Sequence, residues 1–454
     1  MKLTQEQLDI IFSKKKKIKV SALAGSGKTT TLVEKAKMNS DLNILYLVFN
    51  KEMRKVSKHK FPINCEVHTI NSFAFKYMKE LIGKRKLVNK YTVQDIFNLL
   101  PESKQKNTKY EALHEAYSIL ESYNKIINSN IDIENYNGSF YENKAVLFYK
   151  KIIENKYDFD QNTLFKFFID NYNFSTFNYD MLMIDKVQDT NPVTVNLIDK
   201  LDCEYVTLVG DSNQAIYGFR NNINIFNLDK FNSYEDFSLS KSFRFGYEIS
   251  NLINDFSEKH FYKDLGMIGN EQIQSNILSE KDIVVGPFSA YITRTNSHLF
   301  DKAIEYALMD LNISLPFDWE ETKDLIENIF YLKMGLINKV NHFLLKNFKS
   351  YYDFSNSIEN GHDIELKYLY NLIEKHDLAI IEYVKLIENK LSSPKYADIV
   401  LITAHKAKGL EFLSVEVAND FIKLDKKHEN QEEYNLIYVA MTRAIKDLKL
   451  NFTI

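Results

Sequence analysis

The fold is decided by the segment Ile18-Lys19-Val20-Ser21-Ala22-Leu23-Ala24-Gly25-Ser26-Gly27-Lys28-Thr29-Thr30. Its first part, up to Leu23, predicts a strand, the two glycines predict a turn, and Thr29 to Met38 predicts a helix. In a loop of this kind the backbone N–H groups hold phosphates, the lysine reaches the β and γ phosphates, and the threonine hydroxyl binds Mg²⁺. Ala22 stands where the full pattern has its first glycine. The segment therefore predicts a site for a nucleoside triphosphate.

Apolar runs further along the chain predict more strands. Ile44 to Phe49 is a continuous apolar run, too short for a helix, and therefore predicts a buried parallel strand. A strand, a helix and a strand in this order begin an α/β domain. Other strands are predicted at Met181 to Ile184, Tyr205 to Val209, Ala290 to Ile292, Ile399 to Ile402 and Val415 to Val417.

Two stretches between these strands have helical patterns, and they define the predicted domains. We predict the α/β class, with two domains that each carry a helical insertion. The first domain comprises residues 1–76 and 174–240, and its all-helical insertion residues 77–173. The second comprises residues 241–310 and 391–454, with a short helical insertion at 311–390.

Composition excludes several classes of protein. Hydrophobic residues make up 45% of the chain and charged residues 26%, which excludes a disordered chain. The net charge of −3 neither requires nor forbids a nucleic-acid partner, and it limits any basic surface to a local patch. One basic run, Lys14 to Lys17, is predicted to be a solvated loop.

The cysteines and the N-terminus indicate the cellular compartment. Cys65 and Cys203 match neither a disulfide framework nor a zinc ribbon, and free thiols fit a reducing cytosol. The first residues lack the apolar stretch of a signal peptide, and no apolar run approaches the roughly 18 residues of a membrane span. We therefore expect a soluble cytoplasmic protein with no membrane partner.

Two further strand ends carry polar residues. Asp185 follows four apolar residues, a position typical of the acid that holds Mg²⁺ in nucleotide-binding domains, although acidic residues commonly follow strands. The strand that ends at Val209 is followed by an amide, two aromatic residues and an arginine, which are Gln214, Tyr217, Phe219 and Arg220.

Together these segments resemble superfamily 1 helicases of the UvrD/Rep/PcrA type, and the small size and first motifs are similar to the F-box DNA helicase branch. Asn71 stands where many members have histidine. The resemblance covers both α/β domains and not the helical insertions. The matching segments, from the Q-motif to motif VI, are Leu3–Gln7, Ala24–Thr30, Val48–Lys51, Thr69–Phe73, Asp185–Asn191, Gly210–Arg220, Ser242–Arg244, Tyr291–Asn296, Thr403–Phe412 and Tyr438–Ala444.

The resemblance implies two RecA-like domains and an ATP-dependent helicase or translocase that moves 3′→5′ on single-stranded DNA. Its cofactors would be ATP and Mg²⁺, and its substrate single-stranded DNA or a single-strand/double-strand junction. Since the second insertion is short for this family and little chain follows Ala444, we expect processive unwinding to need a partner subunit, which would make the protein one component of a DNA-repair or phage-defence complex.

The resemblance also implies roles for individual residues in nucleotide binding. Gln7 would hydrogen-bond adenine, Phe243 would stack on it, and Glu411 would contact the ribose. Thr29 and Asp185 would hold Mg²⁺. The phosphates would be bound by the loop residues Ala24, Gly25, Ser26, Gly27, Lys28, Thr29 and Thr30, with Gln214, Arg244 and Arg443 around the γ-phosphate.

For DNA, the resemblance implies stacking of unpaired bases on aromatic residues and polar contacts beside them. Phe49 alone would equally fit a core residue, and His405 alone a polar residue at a strand end. Gln188 and Asp189 would equally fit as caps of the helix after Pro192. The residues implied in DNA binding are Phe49, Asn71, Tyr217, Phe219, Arg220 and His405.

One departure from the family pattern concerns catalysis. The family has glutamate after the motif II aspartate, where it activates the attacking water, and this chain has Lys186. Because a protonated amine cannot act as that base, we expect impaired hydrolysis with nucleotide and DNA binding retained. The alternative is that Lys186 points away and another group substitutes.

Two other functions are alternatives to the helicase. One is a non-hydrolysing, ATP-dependent DNA-binding subunit that regulates a partner. The other, a phosphate-loop kinase or GTPase, does not explain Arg443 within a motif VI segment.

Overall fold

The computed structural model describes residues 2–83, 85–101, 109–154, 156–218, 221–315, 319–346, 348–360, 364–421 and 431–454. The chain divides into two compact units, Met1–Phe243 and Arg244–Ile454. Each unit contains one six-stranded sheet in which all the paired strands are parallel. The predicted α/β class is therefore confirmed. Within the described ranges no helix is long and apolar enough to cross a membrane.

The first unit alternates strands and helices before and after a long helical stretch. Its strands are β1 (Lys17–Ala22), β2 (Ile44–Val48), β3 (Cys65–Thr69), β4 (Leu87–Val88), β5 (Phe159–Asp160), β6 (Met181–Asp185), β7 (Tyr205–Gly210) and β8 (Glu235–Leu239). Its α-helices span Gln5–Phe12, Lys28–Met38, Lys51–Lys58, Ile70–Ile82, Val93–Leu99, Lys109–Ile127, Phe140–Ile153, Gln161–Asn171 and Pro192–Leu201.

The first sheet has the order β3-β2-β6-β7-β1-β8 and is covered on both faces. Along β2, Ile44, Tyr46 and Val48 pack into one apolar core, and Leu45 and Leu47 pack into the core on the other face. A strand with both faces buried needs apolar residues at every position. This is why a continuous apolar run predicted β2 correctly.

The other predicted strands lie within one residue of their expected bounds, except that the strand predicted at Val415 begins at Phe412. In the first sheet, β3 and β8 were not predicted. These two are the edge strands of the sheet. In β3, buried residues alternate with an exposed Glu66 and a half-buried His68. Such edge strands lack a continuous apolar run, so the pattern that identified β2 does not reveal them.

The helical stretch between β3 and β6 was predicted to be all-helical, which is wrong in one detail. Its two-residue strands β4 and β5 form a parallel pair. The stretch is held together by aromatic side chains. Phe168 is fully buried, and its ring centroid lies 5.8 Å from that of Phe73 and 5.0 Å from that of Tyr172. Phe177 packs against the same rings.

The second unit repeats the alternation with a second helical stretch. Its strands are β9 (Asn276–Leu278), β10 (Ser289–Thr293), β11 (Ile313–Ser314), β12 (Ile399–Thr403), β13 (Phe412–Val417) and β14 (Ala444–Leu450), in the order β11-β12-β10-β13-β14-β9. Its α-helices span Tyr247–His260, Asn296–Leu308, Trp319–Lys333, Tyr351–Asn360, Ile364–His376, Ile380–Lys390, Ala404–Ala407 and Gln431–Met441.

The aromatic cluster gives a test of the packing in the first unit. Phe168→Ala removes a fully buried ring and should lower the free energy of unfolding by about 3–5 kcal/mol. Phe140→Ala is the matched control, because Phe140 is 62% exposed and its loss should change stability by less than about 0.5 kcal/mol. Urea unfolding followed by circular dichroism measures both. Equal effects would contradict the described packing.

Candidate functional site

The loop between β1 and the helix Lys28–Met38 is built on two left-handed glycines. Gly25 has φ 76° and Gly27 has φ 79°, conformations that side chains disfavour. The hydroxyl of Ser26 donates to the carbonyl of Leu23 at 2.8 Å. Turns containing left-handed residues direct successive backbone N–H groups into an anion-binding concavity. Of the other loop residues, Ala24 is buried, Thr29 is half-buried and Thr30 is exposed.

The side chain of Lys28 folds back over this loop. Its ammonium donates to the carbonyl of Ala22 and, at 2.9 Å, to that of Leu23. The lysine is half-buried, so its charge is kept close to the turn. A phosphate in the concavity would find this cation beside it.

Three residues predicted to surround the nucleotide base converge at Gly27. A β-carbon on Gly27 would lie 2.9 Å from Nε2 of Gln7 and 3.4 Å from the ring of Phe243. The backbone N–H of Phe243 donates to the carbonyl of Gly25 at 2.8 Å. The structure therefore brings Gln7, Gly27 and Phe243 together.

Gln7 is fixed by the cap of the helix Gln5–Phe12, a capping box that the three-residue spacing of Thr4 and Gln7 in the sequence predicts. Its Oε1 accepts the backbone N–H of Thr4 at 3.0 Å, and the Thr4 hydroxyl accepts the backbone N–H of Gln7, which completes a capping box. Its Nε2 donates to the hydroxyl of Thr31 at 3.2 Å. An amide has two donor hydrogens and two acceptor lone pairs. Among the described residues, one of each remains for a ligand.

Asp185 ends β6 with an unsatisfied carboxylate oxygen. Its Oδ2 accepts the Tyr46 hydroxyl at 3.3 Å, and its buried Oδ1 has no hydrogen-bond partner in the described part of the chain. Burial raises the pKa of Tyr46, and the neighbouring carboxylate raises it further, so this hydroxyl stays protonated. A buried unpaired carboxylate oxygen fits a cation.

Mg²⁺ would obtain few ligands from the protein here. The described residues contain no group of three or more His, Cys, Asp or Glu side chains that could hold a metal ion. Mg²⁺ commonly binds one or two carboxylates and completes its shell with phosphate oxygens and waters. Asp185 therefore fits an ion that arrives with a nucleotide.

Lys186 follows Asp185 in a left-handed conformation, with φ 62° and ψ 43°. A residue other than glycine in this region costs about 1–2 kcal/mol. Lys186 is half-buried and lines a cavity of about 640 Å³ together with Phe49 and Asn71. Its backbone carbonyl accepts the N–H of Asp189 at 3.0 Å, and its side chain makes no hydrogen bond or ion pair with the described residues.

Eight of the 22 residues that line that cavity carry amide side chains. Phe49 is 42% exposed on its wall, so the core alternative for this residue is wrong. Nδ2 of Asn71 donates to Oε1 of Gln161 at 3.2 Å. Few cations line the wall, among them Lys51 and Lys186. Its asparagines are Asn50, Asn71, Asn89, Asn128, Asn162, Asn191 and Asn222.

Of the remaining DNA-binding candidates of the first unit, the structure describes one. Tyr217 is half-buried and is absent from the described lining of the cavity. Phe219 and Arg220 lie outside the described residues.

Hydrogen bonds connect the segments that follow β6 and β7, and the sequence pattern did not predict them. Oε1 of Gln188 accepts the backbone N–H of Asp211 at 3.1 Å, and Nε2 of Gln214 donates to Oδ2 of Asp211 at 2.8 Å. A β-carbon on Gly210 would lie 2.6 Å from Oε1 of Gln188. Asn191, and not Gln188 or Asp189, caps the helix Pro192–Leu201.

In the second unit, Arg244 pairs with Glu411. Its Nη2 donates to the Glu411 carboxylate and its Nη1 to the carbonyl of Thr442 at 2.6 Å. Two residues predicted to contact separate parts of the nucleotide thus contact each other here. His405 is half-buried within the short helix Ala404–Ala407.

Arg443 is 1% exposed and anchored within the second unit. Its Nε donates to the carbonyl of Val439 at 2.9 Å, and its Nη1 to that of Leu410 at 3.2 Å. Its Nη2 donates to the Thr442 hydroxyl at 2.9 Å. These bonds join the end of the helix Gln431–Met441 to the residues before β13.

The chain is similar to known helicases in both units. Residues 3–235 match the UvrD/REP helicase N-terminal domain, and residues 398–450 match the UvrD-like helicase C-terminal domain. F-box DNA helicase protein 1 of Schizosaccharomyces pombe is 28% identical over 96% of this chain and 56% of its own length. F-box DNA helicase 1 of Gallus gallus is 27% identical over 99% of this chain and 49% of its own length.

A bacterial relative covers a larger share of its own length. A probable DNA helicase of Mycoplasma pneumoniae is 24% identical over 93% of this chain and 78% of its own length. The chain spans about half the length of the two F-box relatives. The matched domains imply that the two α/β units are RecA-like, and the chain belongs to the UvrD/REP helicase family.

Proposed function

We propose that this chain is an ATP-dependent DNA helicase or translocase that moves 3′→5′ on single-stranded DNA. The observation that carries the proposal is the convergence of Gln7 and Phe243 on Gly27, at a loop that also holds Lys28. A base-contacting amide, an aromatic ring and a phosphate loop at one point fit a nucleoside triphosphate.

Within this proposal the first unit binds ATP and Mg²⁺. The Lys28 ammonium would exchange its backbone carbonyls for phosphate oxygens, and the Gln7 amide would use its remaining donor and acceptor on adenine. Thr29 and Asp185 would hold Mg²⁺, which supplies positive charge to the phosphates when bound. The network of Gln188, Asp211 and Gln214 would keep the two strand ends in register.

DNA would occupy the cavity lined by Phe49 and Asn71. The exposed ring of Phe49 offers a face for an unpaired base, and the surrounding amides offer donors and acceptors. Tyr217 remains a candidate for a second stack, since it lies in the loop after β7.

Other roles follow from family membership alone and are kept as proposals. They are the contacts of Arg244, Glu411 and Arg443 with the nucleotide and of His405 with DNA. A cytoplasmic location, and a protein partner in a repair or phage-defence complex, belong with them. The domain boundaries at residues 76, 173, 240, 310 and 390 also remain predictions.

We further propose that hydrolysis is impaired. Lys186 stands where the family has its catalytic glutamate, and it lines the same cavity as Asp185. A second candidate function follows from this observation, namely an ATP-dependent DNA-binding subunit that does not turn over and regulates a partner.

The two candidates differ in turnover. Phosphate release is measured with and without single-stranded DNA, and strand displacement is measured on duplexes with 3′ or 5′ tails. The helicase requires DNA-stimulated release and displacement from the 3′ tail. Lys28→Ala is the control without the phosphate loop's cation. ATP-dependent DNA binding without phosphate release favours the regulatory subunit.

Gly27→Ala tests the proposed nucleotide site at the phosphate loop. The new methyl group would overlap the Gln7 amide, so ATP affinity should fall about tenfold or more, equivalent to about 1.4 kcal/mol. Gly83→Ala is the matched control, since Gly83 also has a positive φ of 63° but nothing lies within 4 Å of its β-carbon position. Both variants should lose about 1–2 kcal/mol of stability, and only Gly27→Ala should lose affinity in calorimetric titration. Equal ATP affinities of the two variants would contradict a nucleotide site at Gly27.

Phe49→Ala tests the nucleic-acid cavity. Loss of one stacked base should weaken single-stranded DNA binding by about 1–3 kcal/mol in fluorescence anisotropy. Phe140→Ala removes a similarly exposed ring elsewhere in the unit and should leave the dissociation constant unchanged. If both variants bind as the unmodified protein does, Phe49 is no part of the DNA path.

Lys186→Glu tests the catalytic defect. A carboxylate that orients and deprotonates water contributes about 10²–10⁴-fold, so DNA-stimulated hydrolysis should rise by that factor. Lys186→Gln removes the positive charge without adding a base and should show little of this gain. Brisk hydrolysis by the unmodified protein would mean that another group is the base. An inactive Lys186→Glu variant would place the defect elsewhere.

A further inference from the structure

A second cavity, of about 330 Å³, lies where the strands of the first sheet begin, whereas the phosphate loop follows the end of β1. Its lining includes Met181 and Tyr205, the first residues of β6 and β7. Parallel strands all begin on one side of the sheet and all end on the opposite side. The six residues of β1 separate these two sides by about 20 Å. The cavity is therefore distinct from the proposed nucleotide site at the phosphate loop.

Lys35 places a buried positive charge in the wall of this cavity. The residue is 3% exposed, and its ammonium donates to the carbonyl of Ile10 at 2.9 Å. An ammonium has three hydrogens to donate. In the described ranges the other two have no acceptor, and no carboxylate lies within ion-pair distance of Lys35. Burial lowers the pKa of Lys35 to about 8, so the group is still mostly charged at neutral pH.

Three consecutive lysines form the rim of the same cavity. Lys15 pairs with Glu235 at 3.3 Å and Lys16 with Glu204 at 2.8 Å, both on the surface. Lys14 is exposed and forms no ion pair with any described carboxylate. One carboxylate, that of Asp41, lines the cavity beside these lysines. On a chain with a net charge of −3, this concavity is locally positive.

The charges define the ligand. A buried cation without a counter-charge is costly, and an anion that accepts its free hydrogens offsets that cost. A phosphate group presents several acceptor oxygens, and lysine binds it as a point charge. A volume of 330 Å³ is at the small end of ligand sites and suits a phosphate with its adjoining sugar better than a folded protein segment.

We propose that the cavity bounded by Lys14 and Lys35 binds a phosphate group, carried either by a free phosphate compound or by a nucleic-acid backbone. The basic run that the sequence predicted to be only a solvated loop would be the rim of this site. The alternative is that Lys35 serves only to cap the carbonyls at the end of the helix Gln5–Phe12. That role needs neither Lys14 nor an anion.

The experiment is calorimetric titration of inorganic pyrophosphate into the Lys28→Ala protein, in which the phosphate loop has lost its cation. One remaining binding event is expected. Lys35→Met should weaken it about tenfold or more, because a hydrogen-bonded buried charge is lost. Lys14→Gln should weaken it by a few-fold. Lys90→Gln, an exposed lysine elsewhere in the unit, should change nothing.

The results that overturn the proposal are equally definite. Absence of pyrophosphate binding to Lys28→Ala, or binding that neither Lys35→Met nor Lys14→Gln affects, leaves Lys35 as a helix cap. Thermal unfolding checks that Lys35→Met is folded. If it is not, Lys14→Gln alone decides, because Lys14 is exposed and free of ion pairs in the described structure.

Single-stranded DNA identifies the source of the phosphate. If Lys14→Gln weakens both pyrophosphate and DNA binding, the site takes a nucleic-acid backbone. If it weakens pyrophosphate binding alone, the site takes a free phosphate compound. Failure of the proposed ATP-dependent activity affects neither outcome, because the titration is done without ATP and without a working phosphate loop.

Discussion

The absence of a side chain at Gly27 is the constraint around which the first unit is organised. Only a glycine lets the phosphate loop pass directly beneath the Gln7 amide and the Phe243 ring. The same region joins distant parts of the chain, because the Glu6 carboxylate accepts the backbone N–H of Ser240 at 2.8 Å and its hydroxyl at 2.9 Å. The first helix and the segment after β8 are therefore fixed together near the loop.

Sequence patterns revealed the parts of the fold that depend on local burial. A continuous apolar run is required wherever both faces of a strand are covered, so β2 could be predicted, as could the capping box of Thr4 and Gln7. The edge strand β3 does not need apolar residues at every position, because two of its five residues are not buried. Contacts between distant residues leave no local pattern at all, and the pairing of Arg244 with Glu411 is of this kind.

The candidate site was predictable to the same extent. Its residues were found because each stands in an ordered motif, yet the motif does not say what each side chain contacts. The exposure of Phe49 depends on which residues line the adjoining cavity. Tyr46 on the neighbouring strand reaches only one oxygen of Asp185, and among the described residues the other oxygen has no partner. Both are products of packing, and packing couples residues that lie far apart in sequence.

Within the described residues, a buried ionisable group without a salt-bridge partner lies at each end of the strands of the first sheet, one acidic and one basic. At the ends of the strands it is the Asp185 carboxylate, and at their beginnings it is the Lys35 ammonium. Lys186 adds a cation to the cavity that already contains Asp185. Such a cation offsets the negative charge that would retain Mg²⁺, and it attracts a nucleic-acid phosphate. Under the proposed function, an acid replaced by Lys186 would therefore favour the retention of DNA over the activation of water, which is the physical argument for proposing a chain that binds more effectively than it turns over.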